Sequence, residues 1–231
     1  MNRNILIGAL VLVAGNLLAA DPTPKEAVTA AAKKLADQAN YGWKTTVVVP
    51  ESSPWKPGPT EGKAEKDGFT HISMSFGENT SQVVIKGEKI AATNRDGDWE
   101  SVEEMEKAEG PGRFMAMFAR NVKTPAAQAV DLAAGAKELK KDNDTYSSDL
   151  TEEATKTLLT FRGGDATVTN PKGSVQFWLK DGLISKYVFK VKGQVKFGDN
   201  EMDMDRATTV EIKDVGSTKV AVPEPAKKKL S

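Results

Sequence analysis

The chain has 231 residues, a formal net charge of zero, 39% hydrophobic residues and 28% charged residues. These proportions are typical of a globular protein, and the balanced charge provides no basic field for a nucleic-acid partner. Cysteine is absent. This absence excludes disulfide bonds, thiolate metal ligands and a cysteine nucleophile.

Residues 1–20 predict export from the cytoplasm. A positive residue, Arg3, precedes an apolar run over residues 5–14, and small residues follow near the end of the segment. This is the pattern of a secretory signal peptide, cleaved before Asp21. The alternative is an uncleaved anchor, but Gly15 and Asn16 interrupt the run before the ~20 residues that a spanning helix needs. We therefore expect a periplasmic or secreted protein of the bacterial cell envelope, which spans no membrane after cleavage.

The mature chain is predicted to begin with a helix and a strand. Residues 25–40 are rich in alanine, with apolar residues at helical spacing, and we expect Gly42 to end this helix. The β-branched run over residues 43–49 predicts a strand. Residues 50–62 contain four prolines and predict a loop.

Short strands with turns between them follow. Residues 68–76 alternate in polarity, and the set predicted to face the core is Thr70, Ile72, Met74 and Phe76. Further strands are predicted over residues 81–86 and 89–93, and another begins at Trp99. This succession is typical of an antiparallel meander.

Helical signals return between residues 103 and 134. One helix carries large apolar residues at helical spacing, namely Phe114, Met117, Phe118 and Val122. Thr124 caps a second helix, with Pro125 at its first position, and Gly135 ends it. A third begins at Thr151, has carboxylates in its first turn, and is expected to end at residues 162–164.

Strands are predicted again from residue 166 to residue 222. They cover residues 166–169, a hairpin over 173–193, residues 194–204 and residues 207–215. The basic segment 223–231 predicts a flexible tail. Since neither an internal repeat nor a linker is present, we assign residues 21–222 to one α+β domain.

The sequence GSVQFWLKDGLISKYVFKVKG, residues 173–193, predicts a hairpin around the pair Asp181-Gly182. A two-residue loop would pair Phe177 with Lys186 and set apolar side chains opposite charged ones. A three-residue loop that includes Lys180 instead joins the apolar residues of both strands on one face. We therefore predict the three-residue loop.

The hairpin face formed in this way is strongly apolar, with Leu179 paired to Leu183. It carries Val175, Phe177, Leu179, Leu183, Tyr187, Phe189 and Val191, whereas Trp178, Ile184 and Val188 lie among lysines on the opposite face. Each apolar side chain contributes ~1.5–3 kcal/mol when it is fully buried, so the face must be covered. A few helices can cover a sheet of about nine to eleven strands only if the sheet curves around them.

This layout resembles the bacterial lipoprotein-carrier superfamily, which is LolA/LppX-like. The likeness rests on four segments: WKTTVVV after the first helix, SQVVIKGEKIAATNRDGDWESV, TYSSDLTEEATKTLL, and the closing TTVEIKDVGSTKVAVPEPA. The resemblance implies a curved antiparallel half-barrel, closed by helices over a hydrophobic cavity. Many relatives carry a lipid anchor on an N-terminal cysteine. This chain has none, so the resemblance implies a soluble carrier.

Motifs for catalysis or metal binding are weak. His71, the single histidine, is predicted to lie on the surface, away from the core. The acidic residues Asp199, Glu201, Asp203 and Asp205 alternate with methionines, which indicates one solvated strand face rather than a calcium loop. We therefore expect no catalytic residues, no metal and no cofactor.

The leading functional hypothesis is non-covalent binding or carriage of a lipid, lipidated protein or other hydrophobic ligand in the envelope. The aromatic and methionine residues of the middle helix and the hairpin face suit a site for flexible chains. The candidate ligand-binding residues are Phe114, Met117, Phe118, Val175, Phe177, Leu179, Tyr187, Phe189 and Val191. The alternative is a non-catalytic envelope module, with a core filled by side chains, that binds a protein partner.

Overall fold

The computed structural model describes residues 21–53, 56–77, 79–107, 111–160 and 166–231, except for the side chains of Phe76, Pro111 and Phe114. The predicted signal peptide lies outside these ranges and stays a prediction. Residues 162–164, predicted to end the third helix, also lie outside them, but that helix already ends at Leu159, with Thr160 as its C-cap. Within the described ranges, no helix is long and apolar enough to cross a membrane.

Eleven strands form one open, curved antiparallel sheet in the order β6-β5-β4-β3-β2-β1-β11-β10-β9-β8-β7. The strands are β1 (Asn40–Val48), β2 (Thr60–Glu65), β3 (Thr70–Phe76), β4 (Asn79–Lys86), β5 (Lys89–Thr93), β6 (Trp99–Ser101), β7 (Lys140–Asp142), β8 (Thr145–Asp149), β9 (Thr167–Lys180), β10 (Leu183–Phe197) and β11 (Asn200–Lys213). The helices are α1 (Pro24–Ala36), α2 (Val102–Lys107), α3 (Pro111–Asn121), α4 (Pro125–Gly135), α5 (Glu152–Leu159) and α6 (Glu224–Lys229). The predicted α+β class with a curved antiparallel sheet is confirmed.

The sheet has a different covering on each face. Buried residues of α1 to α5 belong to one core cluster with the concave face, to which Val83 of β4 contributes. The next residue, Val84, points to the outer face and packs with Ala226 and Leu230 around α6. Because successive strand residues face opposite sides, β4 is buried on both faces.

Helix α1 begins at a complete capping box. The Thr23 hydroxyl accepts the N–H of Glu26, and the Glu26 carboxylate accepts the N–H of Thr23. The helix ends at Ala36 rather than at the predicted residue 40. Asn40 already begins β1, where its side-chain oxygen accepts the N–H of Thr218 at 2.7 Å. Gly42, predicted to end the helix, lies inside β1.

Strand β2 lies partly in the predicted loop over residues 50–62, which actually ends at Pro59. The strand lacks an apolar alternation, so its sequence gave no strand signal. Its place is fixed by Gly62, which pairs with Trp43 of β1. A Cβ atom at Gly62 would lie 2.0 Å from Trp43 Cζ2, so the indole ring covers the glycine.

The predicted hairpin turn is wrong. Lys180 pairs with Leu183, which leaves the two-residue turn Asp181-Gly182. Both residues have positive φ, 54° and 72°, as a type I′ turn requires. The pairing then shifts between Ile184 and Lys186, and this β-bulge restores the parity of the apolar residues.

The bulge changes which residues reach the core. Tyr187 pairs with Phe177 and Phe189 pairs with Val175, so both predicted apolar sets share the concave face. Ile184 is buried at 1% exposure, although we predicted it on the outer face. It takes the place predicted for Leu183, which is only partly buried.

The last three strands are longer than predicted. β9 joins the predicted strand at 166–169 to the first hairpin strand, and β10 runs on to Phe197. Gly198, with φ 58°, then turns the chain inside the segment 194–204 that we predicted as one strand. Left-handed backbone at a glycine explains the break.

The prediction of a flexible tail at 223–231 is wrong for the described structure. Helix α6 forms there, and Ala226 is fully buried while Leu230 is 5% exposed. The Lys229 ammonium donates to the Glu104 carboxylate at 2.9 Å. Apolar packing and this ion pair hold the segment against the outer face of the sheet.

Candidate functional site

A cavity of about 720 Å³ lies between the concave face of the sheet and helices α3, α4 and α5. Its walls are Trp43, Thr45, Thr60, Ile72, Met74, Met117, Phe118, Asn121, Val122, Lys123, Gln128, Asp131, Leu132, Ala134, Gly135, Thr151, Glu153, Ala154, Thr157, Leu158, Phe189, Arg206 and Thr208. The volume is in the range of small-molecule sites.

Four large apolar residues of the sheet line the cavity, beside Thr45, Thr60, Arg206 and Thr208. Trp43 comes from β1, Ile72 and Met74 come from β3, and Phe189 comes from β10. All four are buried, and the strand alternation that we predicted for β3 aims Ile72 and Met74 inward. The position of the Trp43 ring over Gly62 fixes the floor of the cavity.

Helix α3 forms part of the opposite wall. Phe118 is half-buried against the core, and Met117 is 37% exposed at the edge of the cavity. The helix is tied to α2 by the Arg120 guanidinium, which donates to the Glu106 carboxylate at 3.0 Å. Both members of this pair are exposed to solvent, so apolar contacts hold the helix more than charge does.

Helices α4 and α5 close the cavity on the next side, and they approach each other closely. A Cβ atom at Gly135 would lie 2.5 Å from the Ala154 Cβ, so only glycine fits there. The Thr151 N–H donates to the Gly135 carbonyl at 2.8 Å. The Thr151 hydroxyl also caps α5 by accepting the N–H of Ala154.

Two positively charged residues stand among the described walls, Lys123 and Arg206. Lys123 forms an ion pair with Asp131 at the edge. Arg206 is only 8% exposed, and its guanidinium donates to the Leu158 carbonyl at the end of α5. Burial lowers the pKa of Arg206 from its ordinary value, because a charged group loses hydration in the protein interior.

A buried tyrosine pair supports α4 beside the cavity. The Tyr187 hydroxyl donates to the Gln128 side-chain oxygen at 2.7 Å. Burial raises the pKa of Tyr187 well above its ordinary value, and the neighbouring Tyr41 adds to the shift. Burial also raises the pKa of Tyr41. Both hydroxyls therefore stay protonated at neutral pH, and Tyr187 acts as a fixed hydrogen-bond donor.

The predicted site residues divide into three groups. Met117, Phe118 and Phe189 line the cavity. Val175, Phe177, Tyr187 and Val191 are buried in the core instead, and Leu179 is partly buried against it. The side chain of Phe114 lies outside the described part of the structure. Helices α1 and α5 pack on β9 and β10, so side chains fill that part of the concave face.

Sequence reasoning did not single out Trp43, Thr208 or Arg206 as candidates. The alternation of residues along β11 indicates that Arg206 faces the core. Val210 is apolar and faces the core, so Thr208 and Arg206, two and four residues earlier, share its face. The predicted strands 194–204 and 207–215 left Arg206 between them, and only the continuous strand β11 makes this parity apply to it.

His71 lies on the outer face, away from the cavity. Its Nδ1 is 2.9 Å from the Ala221 carbonyl oxygen, and its Nε2 is 2.9 Å from Gln82 Oε1. The ring is half-buried beneath the C-terminal segment, in contrast to the predicted surface position. These contacts give it a structural part in holding residues 218–222 on the sheet.

The acidic run of β11 pairs with neighbouring strand residues. Lys196 lies opposite Glu201, and Lys192 lies opposite Asp205 on β10. Opposite charges in register stabilise an antiparallel pair, which accounts for the alternation. Within the described ranges, no group of three or more metal-ligating side chains could hold a metal ion.

No family model and no curated protein matches this chain. Solved structures do match. LprF of Mycobacterium bovis shares 10% identity at a TM-score of 0.46, over 88% of this chain and 97% of its own. The Mycobacterium tuberculosis lipoprotein LppX shares 9% at 0.45, over 88% and 100%. A LolA superfamily protein of Nitrosomonas europaea shares 8% at 0.36, over 87% and 96%.

The chain is thus similar to structures of the superfamily that its sequence resembles. At these identities and TM-scores the similarity carries no argument about ligands or activity. The geometry of the cavity has to carry any functional conclusion.

Proposed function

We propose that this protein binds the apolar chain of a lipid, a lipidated protein or another hydrophobic ligand in the cavity beneath α3, α4 and α5. One observation carries the proposal, namely the volume of about 720 Å³ behind a wall of Trp43, Ile72, Met74, Phe118 and Phe189. Burial of a ligand methylene in such a wall contributes ~0.8 kcal/mol, so a long chain gains enough to bind without a covalent bond.

The proposal includes a role in the bacterial cell envelope. Its support is the signal-peptide pattern of residues 1–20, with an apolar run too short to span a bilayer. A carrier outside the inner membrane would keep an acyl chain out of water between two surfaces. N-terminal sequencing of the protein purified from its native host tests the cleavage before Asp21.

The proposed function requires no chemical reaction. Binding and release of an apolar chain need only that the helices move relative to the sheet. The single histidine is bonded to the C-terminal segment on the outer face, remote from the cavity. We therefore propose a carrier or binding protein and not an enzyme.

The experiment pairs two substitutions on one strand. Thr45 faces the cavity, and the next residue, Thr46, is exposed on the outer face. Phenylalanine is favoured in strands at both positions, so Thr45→Phe and Thr46→Phe differ mainly in the volume they place inside the cavity. A fluorescent fatty-acid probe should bind the native protein and Thr46→Phe, and should bind Thr45→Phe at least tenfold more weakly.

The alternative function, a protein-binding envelope module, is favoured by the side-chain-filled hairpin region around Phe177 and Tyr187, both at 0% exposure. The same measurement separates the two. Organic extracts of the purified native protein, analysed by mass spectrometry, should contain co-purified lipid if the cavity is a ligand site. Lipid-free protein that also fails to bind the probe would exclude the carrier function and leave the module.

A further inference from the structure

Gln128 of α4 lines the cavity, and the two ends of its side-chain amide have different surroundings. Its Oε1 accepts the Tyr187 hydroxyl at 2.7 Å, whereas its Nε2 has no hydrogen-bond partner among the described residues. In the same part of the chain, every fully buried side-chain nitrogen or oxygen is hydrogen-bonded. The Nε2 of Gln128 is therefore in contact with open space, and its N–H groups face the cavity.

Tyr187 holds the amide in this orientation. Its side chain is 0% exposed, and burial raises the pKa of Tyr187 well above its ordinary value, so the hydroxyl keeps its proton. An amide oxygen only accepts hydrogen bonds and an amide nitrogen only donates them. Because the hydroxyl donates to the oxygen, the donating nitrogen is the end that is left for a ligand.

The charged groups in the described part of the wall are balanced in sign. There are two cations, Lys123 and Arg206, and two carboxylates, Asp131 and Glu153. Lys123 pairs with Asp131, while Arg206 donates to the Leu158 carbonyl and has a further interaction within the protein. Glu153 is exposed to solvent. This wall therefore favours a neutral polar group over an ionic one.

Gln128 lies at one end of a row of paired residues that crosses the concave face. The row consists of Tyr187 on β10, Val210 on β11, Thr45 on β1, Thr60 on β2 and Met74 on β3. Its last three members line the cavity. Four strand spacings correspond to roughly 19 Å, so the row accommodates an extended chain. A ligand group held at Gln128 would leave the chain to run along the row toward Met74.

We propose that the Nε2 of Gln128 binds the carbonyl oxygen of an ester or amide on the ligand chain, and that Tyr187 positions the amide. The inference rests on the proposed function and adds to it the chemical class of the ligand, a neutral acyl compound. The hydroxyls of Thr45 and Thr60 also line the cavity, but a hydroxyl both donates and accepts. The Asn121 amide already donates within α3. Gln128 therefore gives the site its preference for an acceptor.

The test compares uncharged ligands of equal chain length. Methyl palmitate has a carbonyl that only accepts, 1-heptadecanol has a hydroxyl that also donates, and octadecane has neither group. Each competes at pH 8 with a neutral fluorescent probe, and its affinity is divided by that of octadecane for the same protein. Comparison of this ratio between variants cancels the different solubilities of the ligands in water. N-methylpalmitamide, used beside the ester, distinguishes an amide-linked chain from an ester-linked one.

Gln128→Glu is the decisive variant. It keeps an oxygen for the Tyr187 hydroxyl and replaces the donating nitrogen with a second oxygen, which carries negative charge at pH 8. The ester ratio should fall about five- to tenfold, because a donor is lost and the carboxylate repels the carbonyl oxygen. The alcohol ratio should not fall, because the ligand hydroxyl can donate to the carboxylate.

Two further variants assign the effect. Tyr187→Phe removes only the bond that orients the amide, so the ester ratio should fall about threefold while octadecane binds within about twofold of the native affinity. The control Gln176→Glu makes the same change on the outer face of β9, between the inward-facing residues Val175 and Phe177. It should leave every ratio unchanged.

The outcomes separate the inference from the proposed function. An ester ratio that is unchanged in Gln128→Glu would mean that the amide does not bind the carbonyl, and the apolar cavity would stand without it. An equal fall for ester and alcohol would also contradict the inference, since the site would not distinguish an acceptor from a donor. If no ligand binds the native protein, the proposed function fails and the inference fails with it. The ester ratio of Tyr187→Phe decides the inference if Gln128→Glu does not fold.

Discussion

At the scale of single residues, the floor of the cavity depends on a glycine. Trp43 lies across Gly62 on the adjacent strand, and a Cβ atom there would come within 2.0 Å of the indole ring. The glycine thus allows a large aromatic residue to lie flat on the sheet, and the ring in turn compensates for the missing side chain. Tyr41 packs beside it, with ring centroids 5.8 Å apart.

Gly62→Ala is expected to destabilise the protein by ~1–3 kcal/mol, because the Trp43 ring has to move out of its packed position. Urea unfolding measures the free energy, and near-ultraviolet circular dichroism reports the tryptophan environment. The control is Glu61→Ala, at the neighbouring exposed position, which should change stability by no more than ~0.5 kcal/mol. Equal stability of Gly62→Ala and the native protein would contradict the role assigned to the glycine.

The same residues show why sequence reasoning reached only part of the site. Ile72 and Met74 were predicted to face the core, because their strand alternates in polarity. Gly62 and Trp43 depend on a cross-strand contact, and neither residue indicates its partner by itself. Arg206 lay between the predicted strands 194–204 and 207–215, so its parity with Val210 became apparent only with the continuous strand β11.

At the scale of elements, the hairpin of β9 and β10 shows how a local rule can mislead. The preference for a three-residue loop came from the need to align two apolar sets. The chain meets that need differently, with a two-residue turn at Asp181-Gly182 and a bulge after Ile184. Turn and bulge together give the parity that one longer loop would have given. Sequence parity therefore identified the buried face, whereas it could not place the extra residue.

Helix α6 could not be predicted from the composition of its segment. Its sequence EPAKKK is basic, and the two residues that dock it, Ala226 and Leu230, make only a small apolar surface. Their partners Val84 and Ala91 lie more than a hundred positions earlier in the chain. A long-range contact of this kind leaves no local pattern, which is why the segment was predicted to be a tail.

The docking of α6 should depend on pH through Glu104. Hydrogen bonds from Lys229 and from the Ser101 N–H lower the pKa of Glu104 from 4.5 to about 2. A pKa that folding lowers adds stability above the unfolded value, and this stability is lost as pH falls through the folded value. The native protein should therefore melt above Glu104→Gln at pH 7, and the difference should shrink between about pH 4.5 and pH 2.

The expected difference is small, because Glu104 is exposed to solvent and salt screens such pairs. Thermal unfolding over this pH range provides the measurement. Lys229→Met removes the partner cation, and Glu104→Gln should cost less in the Lys229→Met background than in the native protein. A difference that is constant with pH would show that Glu104 contributes through packing and not through its charge.

At the scale of the whole molecule, the concave face divides into a filled part and a hollow part. Side chains of α1 pack on β9 and β10, where the predicted hairpin residues are buried. The hollow part lies toward β1, β2 and β3, under α3 and the facing sides of α4 and α5. The sequence predicted a curved sheet with helices in its concavity, and this much is confirmed. It could not predict where the space would remain, because a cavity depends on how far helices approach the sheet.

We also expect the hollow part to lower the free energy of unfolding of the protein. A side chain that fills it should therefore raise the stability and at the same time weaken ligand binding. Cavity walls lack packing partners, so Thr45→Phe, which adds apolar volume inside, should raise the free energy of unfolding of the ligand-free protein by ~0.5–2 kcal/mol. Thr46→Phe, on the outer face, should not. A ligand at a hundred times its dissociation constant should stabilise the native protein by about 2.7 kcal/mol and Thr45→Phe hardly at all. Chemical unfolding of delipidated protein, with and without methyl palmitate, measures both effects.

A Thr45→Phe protein that is less stable than the native one would mean that the space at Thr45 is already packed, and loss of probe binding in that variant could then be ascribed to misfolding. If it is more stable and does not bind, the cavity itself is the binding site.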